Sequence, residues 1–204
     1  MRRVAGPKSF ALVSTAALVL AACGGPADAS DPRAAFDRLR VAAAARDPQI
    51  LYRVIDVDSR WALDTVWQYQ RKMATLAEAM PTDARDRVLP RVAAARQAAS
   101  PADFLGRQTW LGDPFARLGG GGDALGVLSS LSREGSRAVV RTTTGVAVEL
   151  TLGQDGLWGW SGLRAELDRW RTITANDLSR VEADAAVMGG GHAPASQPSP
   201  ATAH

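Results

Sequence analysis

The chain has 204 residues, with 24 lysines and arginines against 21 aspartates and glutamates, two histidines and one cysteine. Arg2, Arg3 and Lys8 account for the cationic excess, so the remainder is balanced and lacks the clustered basic charge of a nucleic-acid-binding protein. One cysteine builds no disulfide framework. His192 and His204 both lie close to the C-terminus, which removes histidine-ligated metal and Ser-His-Asp or Cys-His machinery from the body of the chain.

The N-terminus reads as an export signal. Arg2, Arg3 and Lys8 precede an apolar run from Phe10 to Leu20, broken mildly by Ser14 and Thr15, and small Ala21 and Ala22 follow. The run is shorter than the roughly 20 residues a membrane-spanning helix needs. Leu20-Ala21-Ala22-Cys23, followed by Gly24-Gly25, resembles the lipobox of bacterial lipoproteins. The resemblance implies a diacylglyceryl group on the Cys23 thiol, cleavage before Cys23 and acylation of the new amino group. Two or more acyl chains hold a protein stably on a bilayer. The membrane is therefore an expected partner through Cys23, and the expected place is the cell envelope outside the cytoplasm. Gly24 stands where an aspartate would retain a lipoprotein at the inner membrane, so in a two-membrane cell the outer membrane, facing the periplasm, is expected. The expected organisation is a signal peptide over 1–22, a lipid-anchored tether over 23–31, a single α+β domain over 32–188 and a disordered Gly/Pro/Ala/Ser tail over 189–204.

Helical signals fill the first half. Asp31-Pro32 and Asp47-Pro48 each set a cap acceptor before a proline at the first helical position. Phe36, Leu39 and Ala43 line one helix, and Ile50, Leu51 and Val54 a short second one. Asp58 or Ser59 is expected to cap a third, on which Leu63, Val66, Met73, Leu76, Ala77 and Met80 keep three-and-four spacing. Pro81 ends it. Thr82 starts a fourth that Pro90 must kink or divide, and Ser100-Pro101-Ala102-Asp103 resembles a further capping start. Gly112 to Gly126 is expected to be a loop.

From Arg133 the period changes to two. Ser136–Thr143, Val146–Leu152 and Leu157–Leu163 predict a three-stranded antiparallel meander, turning at Thr144-Gly145 and at Gly153-Gln154-Asp155-Gly156. Val146, Val148, Leu150 and Leu152 share one face, with Ala147, Glu149 and Thr151 on the other. Thr174-Ala175-Asn176-Asp177 predicts the start of a C-terminal helix with Leu178, Val181 and Ala185 inside. The class is α+β, N-terminal helices followed by a meander and a helix. A helical start, a short second helix after Arg46-Asp47-Pro48 and a Trp-bearing strand after Asp155-Gly156 resemble the cone-shaped NTF2-like fold. The stretch from Thr82 to Ser100 and the helices after Arg164 depart from its simplest form.

The chemistry is sparse. Gly119 to Gly122 lack the Gly-Lys-Ser/Thr of a phosphate loop, and Lys72 is placed on a helix surface rather than in the apolar setting of a Schiff-base lysine. Asp56, Asp58 and Asp64 are too few for a hard-cation site and suit a helix N-terminus. Glu149 is the one acid within a predicted strand. On a solvent face it is ordinary, and facing a cavity it would act as a base. Trp158 and Trp160 project from one face of a strand, to stack on a ligand, contact a protein or close the sheet against helices, with Trp61 and Trp170 as candidates to meet them. Core packing is the favoured reading. No catalytic group, metal or cofactor is expected. The expected function is that of a membrane-anchored envelope lipoprotein that binds or scaffolds an envelope protein. The alternative is an NTF2-like domain holding a small apolar ligand, with Glu149 as acid or base.

Overall fold

The computed structural model describes residues 29–120 and 122–190. Seven α-helices and four strands follow in chain order: α1 Pro32–Ala45, α2 Pro48–Val54, α3 Val57–Glu78, α4 Thr82–Val88, α5 Ala93–Gln97, α6 Pro101–Arg107, β1 Leu128–Glu134, β2 Arg137–Thr142, β3 Ala147–Leu152, β4 Trp158–Trp160 and α7 Arg164–Gly190. The α+β class is borne out.

The prolines and caps act where the sequence puts them. Asp31 accepts a hydrogen bond from Arg33 N–H at 2.9 Å and Asp47 from Gln49 N–H at 2.8 Å, each starting a helix at a proline. Pro90 lies in a 3-10 turn, Leu89–Val92, that separates α4 from α5. Ser100 caps α6 by accepting from Asp103 N–H, and Asp103 reaches back to Ala99 N–H. The cap of α3 is Asp56 rather than Asp58 or Ser59, because its carboxylate accepts from the backbone N–H groups of both.

The sheet has four strands in the order β1-β2-β3-β4, each pair antiparallel. The strand missing from a three-stranded reading is β1. Its sequence, Leu-Ser-Ser-Leu-Ser-Arg-Glu, leaves most side chains in solvent and carries a register shift between Leu128 and Ser130. An edge strand of this composition has almost no period-two signal. The faces of β3 are as expected, with Val148 and Leu150 buried and Glu149 exposed.

The last helix begins at Arg164, well before Thr174. The capping pattern at Thr174 is overridden because Leu167, Thr174, Leu178 and Val181 form one continuous buried stripe. Tertiary packing decides helix extent more than local cues. That stripe lies on α3, and the two helices run parallel: Asp56 meets Arg164, Trp61 meets Arg171, and Lys72 meets Glu182. Both depart from one backbone contact, a parallel bridge between Ile55 and Trp160 in which Asp56 N–H donates to the Trp160 carbonyl at 3.0 Å.

The main core lies between the helices and one face of the sheet, where Phe36, Leu39, Leu51 and Leu63 pack with Val140, Leu150, Trp158 and Trp160. A second cluster, with Met73, Met80, Val92, Leu178 and Val181, fills the far end of the α3–α7 pair. Upstream of α1 the chain is already docked: Ala29 is buried and its carbonyl accepts from Trp158 N–H at 2.7 Å. The tether expected over 23–31 therefore joins the domain at Ala29. Gly189 and Gly190, the start of the expected tail, close α7. The rest of that tail, the signal region and Cys23 lie outside the described residues. Among the described residues no helix is long and apolar enough to cross a membrane.

Candidate functional site

Trp158 and Trp160 are core residues, each 3% exposed, facing the helices from the last strand. The guanidinium of Arg133 lies 5.0 Å from the centre of the Trp158 ring. Among the described residues no ring pair joins Trp61 or Trp170 to them. Trp170 stacks on Trp110 with ring centres 4.6 Å apart, while Trp61 is 58% exposed with Arg171 over its ring at 4.5 Å. Glu149 stands on the sheet face turned away from the core. It shares an open groove of about 650 Å³ with Arg137, Ser161, Arg164 and Asp168. The space behind the sheet is filled by side chains.

The acidic run at the start of α3 is a structural junction. Asp56 is buried and accepts from Asp58 N–H, from Ser59 N–H and Oγ, and from Arg164 Nη2 at 2.7 Å. Four donors on one carboxylate leave little for a cation. Asp58 Oδ2 lies 2.8 Å from the same Arg164 nitrogen. Burial pulls the Arg164 guanidinium pKa down, but the hydrogen bond and charge of Asp56, with Asp58 and Asp168, hold it above the ordinary value. Asp64 is occupied elsewhere, accepting from the Tyr52 hydroxyl at 2.8 Å. Burial first, then Asp64, pushes Tyr52 up to about 12. Burial also raises Asp64, against the lowering effects of the Tyr52 bond and Arg60. Among the described residues no three His, Cys, Asp or Glu side chains gather as a metal site.

Lys72 pairs at the surface with Glu182 at 2.6 Å, in keeping with its placement on a helix exterior. In the glycine run, the carbonyl of Gly120 accepts from Arg46, which also binds Asp113. Arg46, helped by the backbone N–H of Phe115, holds the Asp113 carboxyl below its ordinary range.

Two sets of residues stand out that the sequence reading did not assemble. One is the exposed Trp61–Arg171 pair. The other is a cleft that brings Trp110 and Trp170 together with Gln70 and Thr174. Gln70 and Thr174 had a readable signal, because each interrupts an otherwise apolar stripe, Gln70 between Val66 and Met73 and Thr174 between Leu167 and Leu178. No family model matches the chain, and no curated protein or solved structure matches it.

Proposed function

We propose that this chain is a lipid-anchored protein of the bacterial cell envelope, held through Cys23 with its domain outside the cytoplasm, and that it works by binding another envelope protein rather than by catalysis. The run Leu20-Ala21-Ala22-Cys23 and the apolar segment before it support the anchor. Gly24 favours an outer membrane, facing the periplasm, where the cell has two.

The binding half rests on Trp61. A tryptophan 58% exposed on the first turns of a long helix is an uncommon use of the largest apolar side chain. Its ring is held under the Arg171 guanidinium, which Asp168 also approaches at 3.4 Å. Tryptophan and arginine are the side chains that carry most binding energy at protein interfaces. A pair already in contact loses less freedom on association. The ligand-holding alternative, NTF2-like with Glu149 as acid or base, has less support: its likeness is one of element order, and Glu149 faces an open groove.

The test is crosslinking and pull-down from intact envelopes with the native protein, Cys23→Ala and Trp61→Ala. One dominant protein partner is expected, weakened by Cys23→Ala and lost with a folded Trp61→Ala. No partner for the native protein, or one retained in full by Trp61→Ala, overturns the reading.

A further inference from the structure

Between α3, α7 and the turn that joins α4 to α5 lies a cleft of about 280 Å³. Proteins hold small molecules in spaces of roughly 300–1,000 Å³, so this one suits a ligand of one or two rings. The stacked indoles of Trp110 and Trp170 form one side, at 4.6 Å and 35°. Met73 and Val92, both buried, form another.

The polar lining is what separates this cleft from a packing defect. Gln70 is 6% exposed and Thr174 2%, and neither side chain has a hydrogen-bond partner among the described residues. Their polar heads keep access to solvent through the cleft, unlike the Trp110 Nε1–H, which is fully enclosed. Buried polar groups are almost always paired, since leaving one without a partner is destabilising. Thr174 also breaks the habit of its neighbours. Thr65, Thr75 and Thr172 each turn the hydroxyl back to the carbonyl four residues earlier. Two largely buried side chains thus turn open donors and acceptors to one small cleft, where a molecule from outside the chain can pair with them.

Charge narrows the chemistry. The ionic groups of the cleft are Arg91 and Asp177, and they neutralise one another at 2.6 Å. The remaining lining offers donors and acceptors without net charge: the Gln70 amide and the hydroxyls of Thr109 and Thr174, each able to do both.

We propose that this cleft binds a small uncharged molecule with a flat ring and an amide-like edge. The ring lies against Trp110, Trp170 and Met73. Its edge exchanges hydrogen bonds with the Gln70 amide and the Thr174 hydroxyl. The site is independent of the Trp61 surface, so either can stand without the other.

Three one-ring probes test the idea on the full chain in mild detergent: benzamide with an uncharged polar edge, benzoate with a charged one, and toluene with none. Benzamide is expected to shift the Trp110 indole N–H resonance saturably. Benzoate and toluene should bind at least about tenfold more weakly, the loss that one missing hydrogen bond produces. Gln70→Leu and Thr174→Val should each weaken benzamide by about tenfold and leave toluene unchanged. Both variants should stay folded, because each replaces a polar side chain with an apolar one of similar size. The proposal is overturned if benzamide fails to saturate, if toluene binds as well as benzamide, or if both variants keep native affinity.

Discussion

Arg164 Nη2 sits 2.7 Å from Asp56 Oδ1 and 2.8 Å from Asp58 Oδ2, so the first residue of α7 grips the residues that start α3. A cation at a helix N-terminus opposes the helix dipole, and here two carboxylates from the adjacent N-terminus offset it. The grip holds two parallel helices in register. Asp56→Ala leaves Arg164 short of its buried partner and removes the α3 cap, and should lower stability by about 3 kcal/mol. Asp56→Asn keeps an acceptor for the backbone and should cost less, about 1–2 kcal/mol. Urea denaturation midpoints read both, and equal losses for the two variants would refute a role for the charge.

Gly159 is the steric complement of that junction. A Cβ there would lie 2.5 Å from Asp56 Cα and 2.6 Å from Asp56 N. Gly159→Ala must push Asp56 away from β4 and break the Ile55–Trp160 bridge, with an expected loss of about 3 kcal/mol. Because the two sites touch, the double variant Gly159→Ala/Asp56→Ala should lose less than the sum. Strict additivity in the same denaturation experiment would contradict this.

The Tyr52–Asp64 bond sets a behaviour at high pH. Tyr52 ionises near 12 in the folded protein against an ordinary 10.0. Its raised value means the folded state favours the neutral hydroxyl. That stabilisation is complete below pH 10 and lost as pH rises toward 12. A spectrophotometric titration should show a tyrosinate step near pH 12 that Tyr52→Phe abolishes. Asp64 is raised too, so its ionised form weighs against folding at neutral pH. Asp64→Asn, which keeps the acceptor, should unfold no earlier than the native protein at neutral pH.

Much of the fold is legible because the backbone punctuates itself. Asp-Pro pairs, Pro90 and Ser100 set helix boundaries through local chemistry that needs no tertiary partner. The alternation around Val148 and Leu150 marks a sheet face for the same reason. β1 and the true start of α7 were not legible. A mostly polar edge strand pairs by backbone alone, and the capping pattern at Thr174 yields to a stripe whose meaning depends on α3. The tryptophans divide in the same way. Their number is visible, but which are covered depends on the parallel placement of two helices distant in sequence.

Trp61 and Trp158 should behave oppositely on truncation. Trp158→Ala empties the core beneath β4 and should cost about 3–5 kcal/mol. Trp61→Ala removes a mostly solvated ring and should change stability by about 0.5 kcal/mol or less. Thermal unfolding of the two variants separates them, and a large loss for Trp61→Ala would mean the ring serves the fold rather than a partner.

Under the proposed anchor at Cys23, the docking of Ala29 against Trp158 would set the length of a leash. From Cys23 to Ala29 the chain can extend about 20 Å at most. Were Cys23 lipid-anchored as proposed, the end of the domain around β4 would stay in a thin layer close to the lipid surface. A binding partner confined to that layer would be met as if at high concentration, with part of the entropy of encounter already lost. Lengthening the segment between Cys23 and Ala29 with flexible residues would dilute that advantage gradually, without altering a single contact in the folded domain.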